Sequence, residues 1–541
     1  MKEENFPISE KSVKAFISIN KTLWEEKDEN NNKIVILNFS MVRMQSYWII
    51  PKLLYAKGLA AASGSTVYVI TWNTNELLEE LFDSFGVEHI AIEHINNKDI
   101  ASFLKAFSKV VGLFFKGRNI ENLKNMTCSQ IDSIGYSLYE DILRTSSLST
   151  LKTTRNKTCL KKSLHILWTI FSLERYFKNK SVISFVADDL AYHEGALIKL
   201  FHSKGAKVLA SNYRREETIS FDNKGEIIRF AAIARGRVSD IFKNFDNKID
   251  YISWVDAYLA ERFKGNNGRN IDRGAFADKK VLSKEDFQKK YLIDLNKKTV
   301  VIMAHTFTDA VYNYGRYYFK DYYDWLENTL EFANQNTSVN WVLKPHPTRH
   351  AYNEDIDSIE NMFERLKKPH MCILSDEISA ESIKNIADVI VTIGGNAGAE
   401  FSCFGVPAVI VGKPYYQGFG YTVEPQTIEE YRNTMMNISD IAPLSDEQID
   451  IAKKVFYIFN NLLTHREQDE KGGQYTDEFA ILVNGKFNEM LEKMALNYFK
   501  SNSGTLEFNN DTLTSITSYM KSNNMKDTEY YKRGYLRGCN I

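Results

Sequence analysis

Short runs of β-branched and apolar residues, each closed by a polar or glycine-rich loop and followed by a helical stretch, recur along most of this chain. Ile34 to Phe39 is the first, and Thr66 to Thr71 (TVYVIT) follows a helical stretch and a break at Gly64. Such alternation is βαβ grammar, which folds as a parallel sheet covered on both faces. Further strands are expected at Val110–Phe115, Ser181–Ala187 and Lys207–Ala210, which carries the pattern to about residue 265. A polar, charged interval over 266–298 reads as a linker with a bridging helix. The grammar then resumes with strands at Thr299–Ala304, Asn340–Leu343, Met371–Leu374, Val389–Ile393 and Ala408–Val411, and helices at Tyr322–Asn334, Ile356–Leu366 and Ala380–Ile386.

The expected organisation is therefore a polar lead over 1–32, a doubly wound domain over 33–265, the linker, and a second doubly wound domain over 299–470. A helical tail over 471–541 is expected to pack back on the first domain. Two such layers make a two-lobed α/β protein with a cleft, and ligands of open α/β sheets bind outside the carboxyl ends of the strands. The 68 basic side chains balance 69 acidic ones, which excludes a generic binder of nucleic acid. Five cysteines (Cys128, Cys159, Cys372, Cys403, Cys539) show neither disulfide nor zinc spacing and fit a reducing cytoplasm. The first residues lack the apolar stretch of a signal peptide, and Tyr47–Ala62, broken by Pro51, Lys52 and Lys57, is too short to cross a bilayer.

Four loops after second-domain strands hold chemistry. AHTFTDA (Ala304–Ala310) brings His305, Thr306 and Asp309 into one turn, where Asp309 is equally readable as a helix cap. In KPHPTRH (Lys344–His350), Pro345 and Pro347 fix the backbone around His346, with Lys344 and Arg349 as flanking cations suited to a phosphate. TIGGNAGAEFSCFG (Thr392–Gly405) offers Gly394, Gly395 and Gly398 for close approach of an anion, Asn396 and Ala397 at a helix start, and Glu400 either for a ribose or for the helix dipole. It is neither GxGxxG nor GxxxxGK[ST]. In VGKPYYQGFGYT (Val411–Thr422), Tyr415, Tyr416 and Phe419 either stack on a ligand or pack the lobe.

The order AHxFxDA, WVLKPHP, TIGGNAGAEFSCFGVPAV, GKPYYQGFGYT resembles the bacterial capsule and surface polysaccharide biosynthesis proteins, which include Kdo transferases of the GT-B fold. The resemblance covers roughly Val300–Thr422. It implies a glycosyltransferase whose nucleotide-sugar donor sits on the second domain, with His346 and Pro347 at the donor phosphate. A CMP-linked donor is favoured, because similar His-Pro pairs occur in sialyltransferases using CMP-linked sugars. Asn396 and Ala397 stand where relatives often carry Ser or Thr, and Phe419 replaces a frequent Trp.

A transferase of this kind needs a base for the acceptor hydroxyl, and cations and N–H groups suffice to meet the leaving phosphate without a metal or added cofactor. The first domain offers SFVADDLAYHEG (Ser184–Gly195), with Asp188, Asp189 and Glu194 as the expected carboxylates and His193 as a competitor. An N-cap with a solvated neighbour is the plainer account of the two aspartates. The loop Ser40–Arg43 is a further phosphate candidate. The basic-then-apolar run Lys152–Phe171 reads either as a packed amphipathic helix or as a membrane-surface anchor. The expectation is a cytoplasmic enzyme of surface-polysaccharide synthesis acting on a glycan or glycolipid, with peripheral membrane association left open. Rivals are a UDP-sugar or CDP-polyol transferase, a UDP-sugar epimerase, and a non-catalytic export or binding protein.

Overall fold

The computed structural model describes residues 32–39, 63–72, 74–128, 133–187, 189–212, 215–246, 248–264, 279–315, 317–347 and 359–463, with isolated positions elsewhere, Arg349 among them. The polar lead, the loop Ser40–Arg43, most of the helix after the first strand, part of the linker and the tail from residue 464 lie outside them. The described residues fall into two compact units, one within Met1–Asp141 and Thr153–Ile227, the other within Ile142–Lys152 and Ile228–Arg466.

The first unit contains β1 (Lys33–Phe39), β2 (Thr66–Thr71), β3 (Glu88–Ala91), β4 (Ser181–Ala187), β5 (Lys207–Asn212) and β6 (Arg215–Thr218). Their order is β3-β2-β1-β4-β5-β6, parallel except that β6 runs against β5. Every residue of β2 is buried, as a strand covered on both faces must be. The helices are α1 (Glu76–Ser84), α2 (Ile100–Phe115), α3 (Gly135–Ser146, entering the second unit after Asp141), α4 (Lys157–Tyr176) and α5 (Tyr192–Ser203). Asn75, Asp99 and Asn156 cap α1, α2 and α4 by accepting first-turn N–H groups.

Two expectations are corrected here. Val110–Phe115 is not a strand but the last turns of α2, whose buried residues Ser102, Ala106, Val110 and Leu113 recur at helical spacing. The run VVGLFF is apolar on both sides of that helix, so its period was hidden. The strand flanking β2 is instead β3, four residues with two polar members.

The second unit holds β7 (Thr299–Met303), β8 (Asn340–Lys344), β9 (Met371–Ile373), β10 (Val389–Thr392), β11 (Ala408–Ile410) and β12 (Thr422–Val423), ordered β12-β11-β10-β7-β8-β9 and all parallel. The winding repeats that of the first sheet: the first strand is central, the next two extend one way and the fourth starts the other side. Each sheet is Rossmann-like, with its switch point at β1/β4 or β7/β10. Helices α6 (Phe230–Lys243), α7 (Tyr251–Phe263), α8 (Lys284–Tyr291), α9 (Tyr322–Gln335), α10 (Ile359–Leu366), α11 (Ala380–Lys384), α12 (Ala397–Ser402), α13 (Ile428–Met436) and α14 (Asp446–Tyr457) complete it.

The division between units falls at Ile227, not near residue 265. Val238 of α6 and Val255, Leu259 and Phe263 of α7 are buried in one core with Ile390, Ile410, Val455 and Phe456. Phe287 of α8, in the interval read as a linker, is buried in the same core. Composition marked the polar interval there, whereas the apolar stripe of α7 decides where the chain packs.

Asn340 ties the start of this sheet together. Its side chain donates to the carbonyl of Asp294 at 2.8 Å and accepts the Asp294 N–H at 2.9 Å, while buried beside Thr299. Asn340→Ala leaves those groups unpaired and should cost roughly 2 kcal/mol, read as a lower urea midpoint for the full chain.

Candidate functional site

The loops that follow β7, β8, β10 and β11 converge at the carboxyl edge of the second sheet. His305, two residues past β7, has Nε2 3.4 Å from Oγ1 of Thr392, the last residue of β10. The same hydroxyl accepts the Gly395 N–H at 3.3 Å. The His305 ring lies 6.4 Å from that of His346, 25° from parallel, and is flanked by Tyr322 at 4.9 Å and by Tyr314 edge-on at 5.6 Å. Burial, aided by the neighbouring imidazole, pushes His305 down to about 3. Burial and then the charge of Arg349 push His346 down to about 4, partly offset by Asp376. Both imidazoles are therefore neutral near pH 7.

The cations of the His346 loop turn into the fold. Lys344 is buried, its Nζ donating to the carbonyls of Ser375 at 2.9 Å and Ile378 at 3.2 Å, and burial lowers it to about 8. The Arg349 guanidinium donates to Asp376 Oδ1 at 2.6 Å, Glu360 Oε1 at 2.5 Å and the His346 carbonyl at 3.1 Å. Glu400, expected at a ribose, is buried with Oε1 2.7 Å from Nε of Arg262 on α7. Asp309 and Asn396 are exposed, Ala397 and Pro347 are half-buried, and Thr306 is buried with an Oγ1 that has no partner among the described residues.

Tyrosines occupy two of the three glycine positions. Tyr416 is fully buried and donates its hydroxyl to the Gly395 carbonyl at 2.6 Å, and a Cβ at Gly398 would stand 2.3 Å from that oxygen. Tyr314 fills the space over Gly394, where a Cβ would meet its ring at 2.9 Å, and over Gly412. Gly395 alone faces the imidazole side, its nearest neighbours being His305 Nε2 and Thr392 Oγ1 at 3.2 Å. Tyr415 stacks on Phe459 at 3.6 Å and Phe419 meets Phe242 at 5.1 Å, so these aromatics pack the unit. Tyr314 was not anticipated; its signal was the aromatic run beginning at Tyr312.

In the first unit, Asp188 lies outside the described residues. Asp189 Oδ1 accepts the N–H groups of Leu190 at 2.6 Å and Ala191 at 3.0 Å, a local turn bond. Glu194 is fully buried; its oxygens accept from Asn38 of β1 and from the Asp189 N–H, both at 2.9 Å. Those carboxylates brace the β4 loop on β1. His193 differs: Nδ1 lies 2.8 Å from Asp141 Oδ1, and Tyr192 before it holds a left-handed φ of 57°. The His193 ring stands edge-on to Trp72, 4.7 Å away, and Trp72 lies 5.1 Å from His165. Among the described residues His193 Nε2 has no partner. Asp141 holds the ring through Nδ1 and so orients the imidazole. Sequence spacing gave His193 only as a competitor and missed Asp141 and Trp72, which lie 52 residues from it on another helix in the one case and after β2 in the other. Among the described residues no three His, Cys, Asp or Glu side chains gather so as to hold a metal ion.

Two outcomes follow from this packing. Gly398→Ala should destabilise the second unit by roughly 2 kcal/mol or more, and adding Tyr416→Phe should recover part of it, as read by urea melts. The folded-state values of His305 and His346 lie below the ordinary 6.5. Stability is thus fully present above about pH 6.5 and lost as pH falls toward about 4. His305→Gln should flatten that slope in melts at a series of pH values.

Residues 272–443 match the family described as "Capsule polysaccharide biosynthesis protein". No curated protein matches the chain. Among solved structures, the chain is similar to the Thermosulfurimonas dismutans KpsC beta Kdo 2,4 transferase at 13% identity and a TM-score of 0.31, covering 51% of this chain and 80% of that one. A glycosyltransferase from Rickettsia africae ESF-5 gives 14% and 0.27, covering 85% and 100%. Anabaena Alr3699/HepE in complex with UDP-glucose gives 10% and 0.25, covering 85% and 99%. At such scores no residue of this chain takes a role from them. The match over 272–443 spans the second sheet and the four loops described above, and it is to the capsule polysaccharide biosynthesis family that this segment of the chain is matched.

Proposed function

We propose that this chain is a glycosyltransferase of surface-polysaccharide synthesis, working on the cytoplasmic side with a nucleotide-sugar donor held by the second unit. The observation that carries the reading is the pair of neutral imidazoles, His305 and His346, beside Gly395 and at the switch point of the sheet. Two N–H donors in a desolvated setting suit a donor phosphate, and they keep their geometry as the leaving oxygen gains charge. The capsule-family match over the same loops supports a glycan product. A CMP-linked sugar such as Kdo is the favoured donor, on the resemblance of the loops.

The acceptor hydroxyl gives its proton to a base, for which the first unit offers His193, oriented by Asp141 through Nδ1. The hydroxyl oxygen then bonds to the anomeric carbon, the bond from that carbon to the phosphate oxygen breaks, and its electron pair leaves with the nucleotide. A single displacement inverts the anomeric centre. No step is assigned to a metal or added cofactor. Asp189 and Glu194 brace the loop, and Asp188 remains a candidate for the same proton.

Calorimetry with CMP, CDP and UDP, paired with nucleotide release from CMP-Kdo and UDP-glucose, tests this. His346→Ala should weaken nucleotide binding and lower turnover by about 100-fold. His193→Gln should lower turnover on the order of 100-fold and leave nucleotide affinity unchanged. Wild-type turnover in both variants contradicts the assignment, and binding of UDP over CMP would select the UDP-sugar alternative. Nucleotide binding without donor consumption would select a non-catalytic export or binding protein.

A further inference from the structure

The connection from β7 to α9 is stapled by its own tyrosines. Tyr322 donates its hydroxyl to the Ala310 carbonyl at 3.2 Å, Tyr317 to the Val311 carbonyl at 2.7 Å, and Tyr312 to the Lys320 carbonyl at 3.0 Å. Two left-handed residues bracket the turn, Ala310 at a φ of 42° and Gly315 at 81°. Glycine adopts that conformation freely and alanine does not, so the staples hold Ala310 in a backbone state that it resists. Between the two stands Tyr314.

Tyr314 meets three of the four loops at the carboxyl edge of the sheet. Its ring lies against Gly394 of the loop after β10, where a Cβ would stand 2.9 Å from Cγ and 3.0 Å from Cδ1. Its Cβ lies against Gly412 after β11, where an added Cβ would be 2.7 Å away, and its carbonyl accepts the Lys413 N–H at 2.8 Å. In its own loop the ring stands edge-on to His305, with centroids 5.6 Å apart. Tyr322, which holds the Ala310 carbonyl, also lies 4.9 Å from the His305 ring. These contacts are made by rings and backbone, and a side chain at either glycine would displace them. His305 itself is half-buried, so part of it stays open to a ligand.

We propose that Tyr314 is a positioning residue of the phosphate site: it keys the loops after β10 and β11 to His305 and shields one side of that imidazole from water, so that the ring is in place when a donor phosphate arrives. The role toward phosphate rests on the transferase reading; the shielding of His305 does not. Burial is the chief reason that His305 lies below its ordinary 6.5, and His346 adds to it. The other titratable side chains against its ring are Tyr314 and Tyr322, and Asp309 acts on Tyr314. Removing the Tyr314 ring admits water to the imidazole and so raises its value toward 6.5.

The test is imidazole NMR of the full chain carrying isotope-labelled histidine, with the His305 signal assigned by its loss in His305→Gln, beside calorimetry with CMP and nucleotide release from CMP-Kdo. In the wild-type chain His305 should not titrate between about pH 5 and 8, whereas in Tyr314→Ala its midpoint should enter that range. Nucleotide release should fall about 10-fold in Tyr314→Ala, and Tyr314→Phe, which keeps the ring, should restore both readings. Tyr314→Leu, which fills more of the space without a flat ring, gives the same comparison if the alanine variant shows no cooperative urea melt. A His305 that still does not titrate in that range once the ring is gone overturns the proposal. A phenylalanine variant as impaired in nucleotide release as the alanine one also overturns it, in favour of a hydroxyl that meets the donor directly. A wild-type chain that binds no nucleotide overturns the transferase reading and with it the phosphate role, while the titration still decides the shielding.

Discussion

A buried guanidinium shapes the loop edge of the second unit. Arg349 reaches Asp376 after β9, Glu360 on α10 and the carbonyl of His346. A cation so desolvated is tolerated only because carboxylates meet it, and removing both would leave an unpaired buried charge. With Pro345 and Pro347 on either side of His346, the clamp leaves the imidazole little freedom. Its proximity also holds His346 below its ordinary value. The pairing of His346 with His305, and hence the proposed phosphate site, depends on that clamp.

The strands and the loops after them were legible in the sequence because β-branched runs and Gly or Pro breaks are local signals. The direction of each side chain was not. Lys344, Arg349 and Glu400 were read as ligand groups from their types and neighbours in sequence, yet their partners Ser375, Asp376 and Arg262 come from other loops and helices. Only tertiary packing could show that these charges are spent inside the fold. Likewise, only packing could show that Gly394 and Gly398 accommodate Tyr314 and Tyr416. Val110–Phe115 failed for a different reason: a helix apolar on its outer face as well as its inner one shows no period.

The two units repeat one winding, and each gathers imidazoles at its carboxyl edge in a different electrostatic state. In the second unit His305 and His346 are held neutral chiefly by burial. In the first, His193 has a carboxylate on one nitrogen, and the other meets no partner among the described residues. The first arrangement suits hydrogen-bond donation to an anion, the second acceptance of a proton. A chain that must receive a phosphate and deprotonate a hydroxyl needs both.

Hydrogen–deuterium exchange of the full chain with and without saturating CMP or UDP addresses the placement of the nucleotide most directly. The account predicts slower exchange over residues 304–309, 344–347 and 392–398 and little change in the loops after β1, β2 and β4. Protection confined to the first unit, or none at all with either nucleotide, would contradict it.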